Sequence, residues 1–256
     1  MSRLPEFKGL MAPVFTPFLD DSSINYEIIE KYAGMLKVNG ISAFLVNGTS
    51  GEGMSLSVDE RKKVTEKWME VCKKFDILVM VQISGCTFSD VVELAKHAAS
   101  LNVDGILCLP ELYFKPKTVS QLVGYMKDIS KYCEKIPLYY YHIPQFTQVD
   151  LNMASFMEVA KKEIPNFCGI KFTSGDLEKG LPCLEHGQVF LGSDTLLCGA
   201  IALGFESAIM TTLNIHPDIS IKIVEFMKEG NIQEARNHQM KLNKLVKYYL
   251  ETSKLY

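Results

Sequence analysis

Residues 77–110 read ILVMVQISGCTFSDVVELAKHAASLNVDGILCLP. The stretch begins and ends on short, almost continuous apolar runs, ILVMVQIS (77–84) and GILCLP (105–110). Between them SDVVELAKHAASLN (89–102) spaces its apolar residues as one face of a helix does. A strand without polar alternation is buried on both faces. Such strands, separated by helices, run parallel and lie beneath a layer of helices.

Outward from this unit the pattern repeats. Strand-like runs occur at GLMAPVFTPF (9–18), SAFLVNG (42–48), PLYYYHI (137–143), CGIKFT (168–173), QVFLGSD (188–194) and SAIMTT (207–212). Helical patterns such as INYEIIEKYAGMLKVNG and SVDERKKVTEKWMEVCKK lie between them. Ser57, with Glu60 three residues on, has the spacing of a capping box, and Gly40 reads as a helix stop. Strand–helix units about 30 residues apart are the usual βαβ length. Eight of them in a chain of 256 residues suit an α/β fold of the (β/α)8 TIM-barrel type. An open, doubly wound sheet is the rival. No shift in composition marks a linker, and two helical segments close the chain. Residues 1–228 are therefore read as the barrel, and 229–256 as a C-terminal helix of the same domain.

Hydrophobic residues make up 47% and charged residues 22%, as in an ordinary globular protein. The net charge is −3 and no basic block occurs, which argues against nucleic acid or an anionic membrane as partner. No apolar run is long enough to span a bilayer, and MSRLPEFKGL lacks the apolar core of a secretory signal. The seven cysteines (Cys72, Cys86, Cys108, Cys133, Cys168, Cys183 and Cys198) are odd in number and widely spaced, with no CxxC. They read as reduced thiols of a cytoplasmic protein, mostly small core residues. The histidines are scattered and no HxxEH or paired-carboxylate spacing appears, so no metal site is expected. A flavin or nicotinamide site has no support either.

Barrel enzymes gather functional groups at the C-terminal ends of their strands. Strand two ends in Gly48-Thr49-Ser50-Gly51-Glu52-Gly53. This GxxGxG spacing is neither a dinucleotide fingerprint nor a phosphate loop. It serves either a turn that needs glycine or an anion cradle, in which two hydroxyls and free backbone N–H groups grip a carboxylate. In strand five, alternation puts Tyr139 and Tyr141 on one face and Tyr140 and His142 on the other. A phenol at that strand's end can move a proton, while His142 reads as structural. Lys171, in FCGIKFTSGD (167–176), enters an apolar wall with no acidic partner nearby in sequence. Desolvation there lowers a lysine's pKa, and a neutral amine attacks a ketone to form a Schiff base. Cradle, phenol and amine together describe the handling of a 2-keto acid. Asp194, at the end of strand seven, either holds a substrate hydroxyl or caps the next helix.

With these residues in view, the chain resembles the pyruvate-dependent Schiff-base aldolases that include N-acetylneuraminate lyase and dihydrodipicolinate synthase. VNGTSGEGMSLSVDER (46–61) is similar to the strand-two loop of the lyases, PLYYYHIP (137–144) to strand five and GIKFTSGD (169–176) to the Schiff-base strand. The resemblance runs from about residue 9 to the end. It implies that Lys171 forms the imine, so that no separate cofactor is needed, and that Tyr141 is the general acid/base. It implies that Thr49 hydrogen-bonds this phenol and Ser50 holds the keto-acid carboxylate. Thr173, Gly192, Asp194 and Thr211 would meet the polyol chain of a keto-sugar acid. Tyr113, in PELYFKP, would reach into a neighbouring subunit of a homotetramer. The implied reaction is cleavage of N-acetylneuraminate to N-acetylmannosamine and pyruvate.

Departures are equally specific. Phe146 stands where the synthases carry arginine, which favours the lyase branch. Thr195 stands where the lyases carry glutamate, and MTTLN (210–214) replaces their Gly-Ser-Thr-Tyr-Asn, adding the bulk of Met210. Both changes are expected in the sugar half of the pocket, leaving the chemical half intact. Family members generally continue through further helices, so a strip including Tyr248, Tyr249 and Leu250 is expected to be exposed or covered by a partner. A lyase for another 2-keto-3-deoxy sugar acid, and a weakly active paralogue that binds a keto acid or a partner, remain as alternatives.

Overall fold

The computed structural model describes residues 2–85 and 87–252. Eight parallel strands close on themselves in sequence order: β1 Gly9–Pro13, β2 Ala43–Val46, β3 Leu78–Gln82, β4 Gly105–Cys108, β5 Leu138–His142, β6 Phe167–Phe172, β7 Gln188–Leu191 and β8 Ser207–Ile209. β1 pairs with both β2 and β8, so the sheet has no free edge and the doubly wound alternative falls. Around the barrel run α1 Ile28–Val38, α2 Val58–Phe75, α3 Phe88–Ser100, α4 Val119–Ser130, the short α5 Pro144–Thr147, α6 Met153–Glu163, α7 Leu177–Gly180, α8 Leu197–Ala202 and α9 Pro217–Lys228. α10, Ile232–Thr252, packs on α9 and α8. Each strand expected from sequence is present; β6 keeps its expected length, shifted by one residue, and the other seven are shorter because residues at their ends leave the ladder to form loops. The regular strand–helix alternation weakens after β6, where α7 is one turn followed by a 3-10 turn, Leu181–Glu185.

Local chemistry sets the element ends. Ser57 Oγ accepts from Glu60 N while the Glu60 carboxylate accepts from Ser57 N at 2.8 Å, a reciprocal box that starts α2. Gly40, at φ +86°, ends α1 with its N–H on Lys37 O.

Alternation separates two cores. Residues facing the helices, such as Phe44, Tyr140, Ile170 and Phe172, form the outer one. Met11, Leu45, Met80, Leu107, Tyr139, Tyr141, Phe190 and Ile209 fill the barrel itself. The N-terminal segment closes the far end. Leu4 is fully buried in the inner core, and Gly105 makes room for it, since a Cβ there would lie 2.3 Å from the leucine side chain. Gln188 Nε2 and Ser207 Oγ both donate to Phe7 O at 2.8 Å, and Tyr139 Oη donates to Gln188 Oε1. With one end sealed, only the C-terminal ends of the strands give access to the interior.

One irregularity decides what lines that opening. Leu138 pairs with Phe167, but Tyr139 pairs with Gly169, so Cys168 is an extra residue in β6. Beyond this bulge Tyr141 stands opposite Lys171. Without it Tyr141 would oppose Ile170, and a one-residue slip turns every later side chain to the other face.

Candidate active site

Lys171 is 4% exposed, with Ile170 and Phe172 on the opposite face in the outer core. Its Nζ donates to Tyr141 Oη at 3.0 Å, lies 4.2 Å from the centre of that ring, and joins no ion pair among the described residues. Tyr141 Oη also lies 3.1 Å from Thr49 Oγ1. Burial pushes the Tyr141 phenol up, but the Lys171 charge and the hydrogen bonds from Thr49 and Lys171 outweigh it, leaving the phenol below its ordinary range. Tyr139 and Tyr140, buried in the same strand without such partners, are pushed up. One phenol of three is thus made acidic, beside the one amine in the barrel wall. His142 faces the helices, stacked on Phe172, and burial holds its pKa down at about 4, in keeping with a structural role.

The strand-two loop shows why its glycines are needed. A Cβ on Gly51 would lie 2.7 Å from Val14 O, and one on Gly53 2.1 Å from Asn47 O. These close approaches satisfy the turn reading, yet the backbone N–H groups of Thr49, Ser50 and Gly51 donate to nothing among the described residues. Ser50 Oγ lies 2.7 Å from Thr211 Oγ1. Unspent donors beside two hydroxyls have the chemistry of an anion cradle, and the turn reading does not use them.

On the opposite side, Asp194 Oδ1 accepts from Thr212 N at 2.8 Å and from Thr212 Oγ1 at 2.5 Å. The carboxylate therefore ties the β7 loop to the β8 loop instead of capping its own turn, which has no side-chain cap. Gly192 is required by contact, because a Cβ there would come within 2.0 Å of Thr173 Oγ1, a buried hydroxyl. Thr195 Oγ1 lies 3.4 Å from Ser193 Oγ. Met210 corrects one expectation. It is fully buried in the outer core, so its bulk points away from the opening, as its parity with the inward Ile209 requires. Phe146 is 65% exposed and Tyr113 80%, the latter edge-on to Phe114. Tyr248 and Leu250 are exposed as expected, but Tyr249 turns inward, its Oη 2.8 Å from His216 Nε2. Cys86 and Tyr256 lie outside the described residues, and the other six cysteines are free thiols.

Several supports are absent from the sequence reading. Asn214 donates to Pro13 O and Thr211 O and accepts from Tyr32 Oη, clasping the ends of β1 and β8. Asn47, at φ +58°, donates to Arg61 O and Thr65 Oγ1, fixing the glycine loop to α2. An asparagine directly after the apolar run of β2 marks Asn47, whereas Asn214 closes the 3-10 turn Thr211–Asn214 beyond β8 and carries no such signal. Among the described residues no three His, Cys, Asp or Glu side chains converge as metal ligands, and no helix is long and apolar enough to cross a membrane.

N-acetylneuraminate lyase B of Xenopus laevis is 35% identical over 95% of this chain and 93% of its own length. Human N-acetylneuraminate lyase is 30% identical over 96% of this chain and 79% of its own. The structure of the lyase (sialic acid aldolase) from Aliivibrio salmonicida superposes with a TM-score of 0.92 at 34% identity, covering 96% of this chain and 82% of that one. The family model described as the dihydrodipicolinate synthetase family matches residues 6–256, and the chain belongs to that family.

Proposed function

We propose that the protein is a Schiff-base lyase that cleaves N-acetylneuraminate to N-acetylmannosamine and pyruvate. The observation that carries this reading is a buried lysine 3.0 Å from an acidified tyrosine, which is itself held by Thr49. The relatives named lyases add the substrate.

In the proposed sequence a proton passes between Lys171 and Tyr141, freeing the amine's lone pair. The amine attacks the C2 carbonyl, and Tyr141 gives that proton to the departing hydroxyl, so that water leaves and an iminium and a phenolate remain. Tyr141, as phenolate, takes the proton of the C4 hydroxyl. The C3–C4 bond breaks, its electrons move into the iminium to form an enamine, and N-acetylmannosamine departs as the aldehyde. Protonation at C3 and hydrolysis then release pyruvate and restore Lys171. No further cofactor is required. Thr49 orients the phenol, and Ser50 with the free N–H groups of its loop holds the carboxylate. Thr173, Gly192, Asp194 and Thr211 face the sugar chain.

We read residues 1–228 as the barrel and 229–256 as part of the same domain, supported by the packing of α10 on α9. The exposure of Tyr113 and Phe114 supports a seat in a second copy, in a homotetramer. Free thiols support a reducing, cytoplasmic setting. A second reading, a lyase for a different 2-keto-3-deoxy sugar acid, is favoured by Thr195 alone.

Borohydride reduction in the presence of pyruvate tests the chemistry. Mass spectrometry is expected to find the adduct on Lys171, and Lys171→Ala to lose both the adduct and cleavage, the latter by about 10⁴-fold or more. An unmodified Lys171 after this treatment overturns the proposal.

A further inference from the structure

α10 carries a polar residue where its apolar stripe should continue. Its buried positions are Ala235, Gln239 and Leu242, spaced as one helix face. Gln239 is 9% exposed. A buried amide costs stability unless its donors and acceptor are paired, and an apolar side chain at such a position carries no such demand. Its partners are therefore informative. Gln239 Oε1 accepts from Cys198 N at 2.8 Å, and Nε2 donates to Asp194 O at 3.0 Å. The amide bridges Asp194, in the 3-10 turn between β7 and α8, to Cys198 in the first turn of α8, and Thr195 lies between the two.

From there the contacts continue inward. The Asp194 carboxylate takes both the N–H and the hydroxyl of Thr212. The adjacent Thr211 meets Ser50 at 2.7 Å. A second tie runs from the same helix: Tyr249 Oη lies 2.8 Å from His216 Nε2, and His216 N donates to Thr212 O at 2.7 Å. α10 thus touches the β7 loop through Gln239 and the β8 loop through Tyr249, and no such contact reaches β5 or β6.

We infer that Gln239 is a positioning residue for the sugar half of the site, fixing the Asp194–Thr195 segment from behind and thereby setting how the substrate's polyol chain is held. The inference rests on the lyase reading above. It predicts a division of effects. Loss of the grip loosens recognition of the sugar chain and leaves imine formation at Lys171 as it was.

The test compares Gln239→Leu, which removes both bonds to the β7–α8 region, and the bond to Asn243 Oδ1 within α10, at similar size, with Gln239→Glu, which still accepts from Cys198 N but turns an oxygen towards Asp194 O. Two readouts are taken on each: the KM and kcat for N-acetylneuraminate cleavage, and the rate of borohydride trapping with pyruvate alone. Both variants are expected to raise the KM about tenfold while the pyruvate trapping rate stays within about twofold of wild type. An unchanged KM in a folded variant overturns the inference. So does a parallel fall in KM performance and pyruvate trapping, which marks general destabilisation. Should Gln239→Leu fail to fold, Gln239→Glu decides by the same ratio. If the wild type traps pyruvate but does not cleave N-acetylneuraminate, the substrate reading fails and the inference falls with it. That case is told apart by the inactivity of the unaltered enzyme.

Discussion

On the β5–β6 side of the barrel mouth, Lys171 and Tyr141 are 4% and 2% exposed and spring from directly paired residues of adjacent strands. On the β7–β8 side, Asp194, Thr195 and Thr211 sit in 3-10 turns beyond the strand ends, partly open to solvent, and are held through Thr212, Ser193 and Ser50 respectively, with Asp194 also held by α10. The first half is made by the barrel itself: sheet register, bulge and packing leave its groups little freedom. The second half is assembled from loops, which can change residue by residue without disturbing the barrel. Chemistry that needs an amine and a phenol within hydrogen-bond reach belongs on the rigid half. Recognition of a substrate's variable end belongs on the other. The departures from the lyase pattern fall where this division allows them.

The sharpest way to break the comparison is to remove the phenol while leaving the wall intact. Tyr141→Phe keeps the ring that lies beside Lys171 Nζ and deletes only the oxygen bonded by Lys171 and Thr49. A positioned acid/base contributes about 10²–10⁴-fold, so kcat is expected to fall by that much, with the melting temperature little changed. A loss of less than tenfold in steady-state cleavage would mean that the proton travels by another route.

Thr49 gives a smaller and more discriminating effect. Its hydroxyl is one of the groups that hold the Tyr141 phenol below its ordinary value. Removing it in Thr49→Val favours the protonated phenol, so the Tyr141 titration moves to higher pH. If the phenolate is the base, the rising limb of kcat/KM against pH moves upward with it. At neutral pH the loss is expected to be about tenfold, comparable to a hydrogen bond to a charged group. Tyrosinate difference absorbance and the pH–rate profile measure the same shift independently. A titration that stays in place, or moves to lower pH, removes Thr49 from its proposed role.

The sequence carried the rigid half almost completely. Strand alternation separated Tyr139 and Tyr141 from Tyr140, and an isolated lysine in an apolar strand marked position 171. Alternation also contains the parity that turns Met210 outward, though the family comparison placed its bulk in the pocket. What the sequence could not carry was register between strands. The extra Cys168 that brings Tyr141 opposite Lys171 looks like any other apolar residue until the pairing is known. Burial alone was expected to activate the amine, whereas the structure adds an acidified phenol at its side. The loop half was less legible for a related reason. Asp194 to Thr212 spans 18 positions and Cys198 to Gln239 spans 41, and no local pattern encodes contacts of that range. The one available hint, a glutamine on an apolar stripe, acquires meaning only when its partners are seen.

The smallest effect serves as the control on which the comparison depends. Ser57 begins α2 through its reciprocal bonds with Glu60, just beyond the glycine loop that carries Thr49 and Ser50. Ser57→Ala removes the side-chain half of the cap, a loss of about 1 kcal/mol. In a domain of this size that corresponds to a fall of about 2–4 °C in melting temperature. The loop itself is held by other means: Asn47 bonded to Arg61 O and Thr65, and Thr16 Oγ1 donating to Gly51 O at 2.6 Å. If those anchors fix the cradle, calorimetry records the loss of stability while pyruvate trapping and the KM stay at wild-type values. A raised KM in this variant would instead make the start of α2 part of the carboxylate site, and the boundary between rigid chemistry and adaptable recognition would have to be redrawn to include the strand-two loop among the adaptable parts.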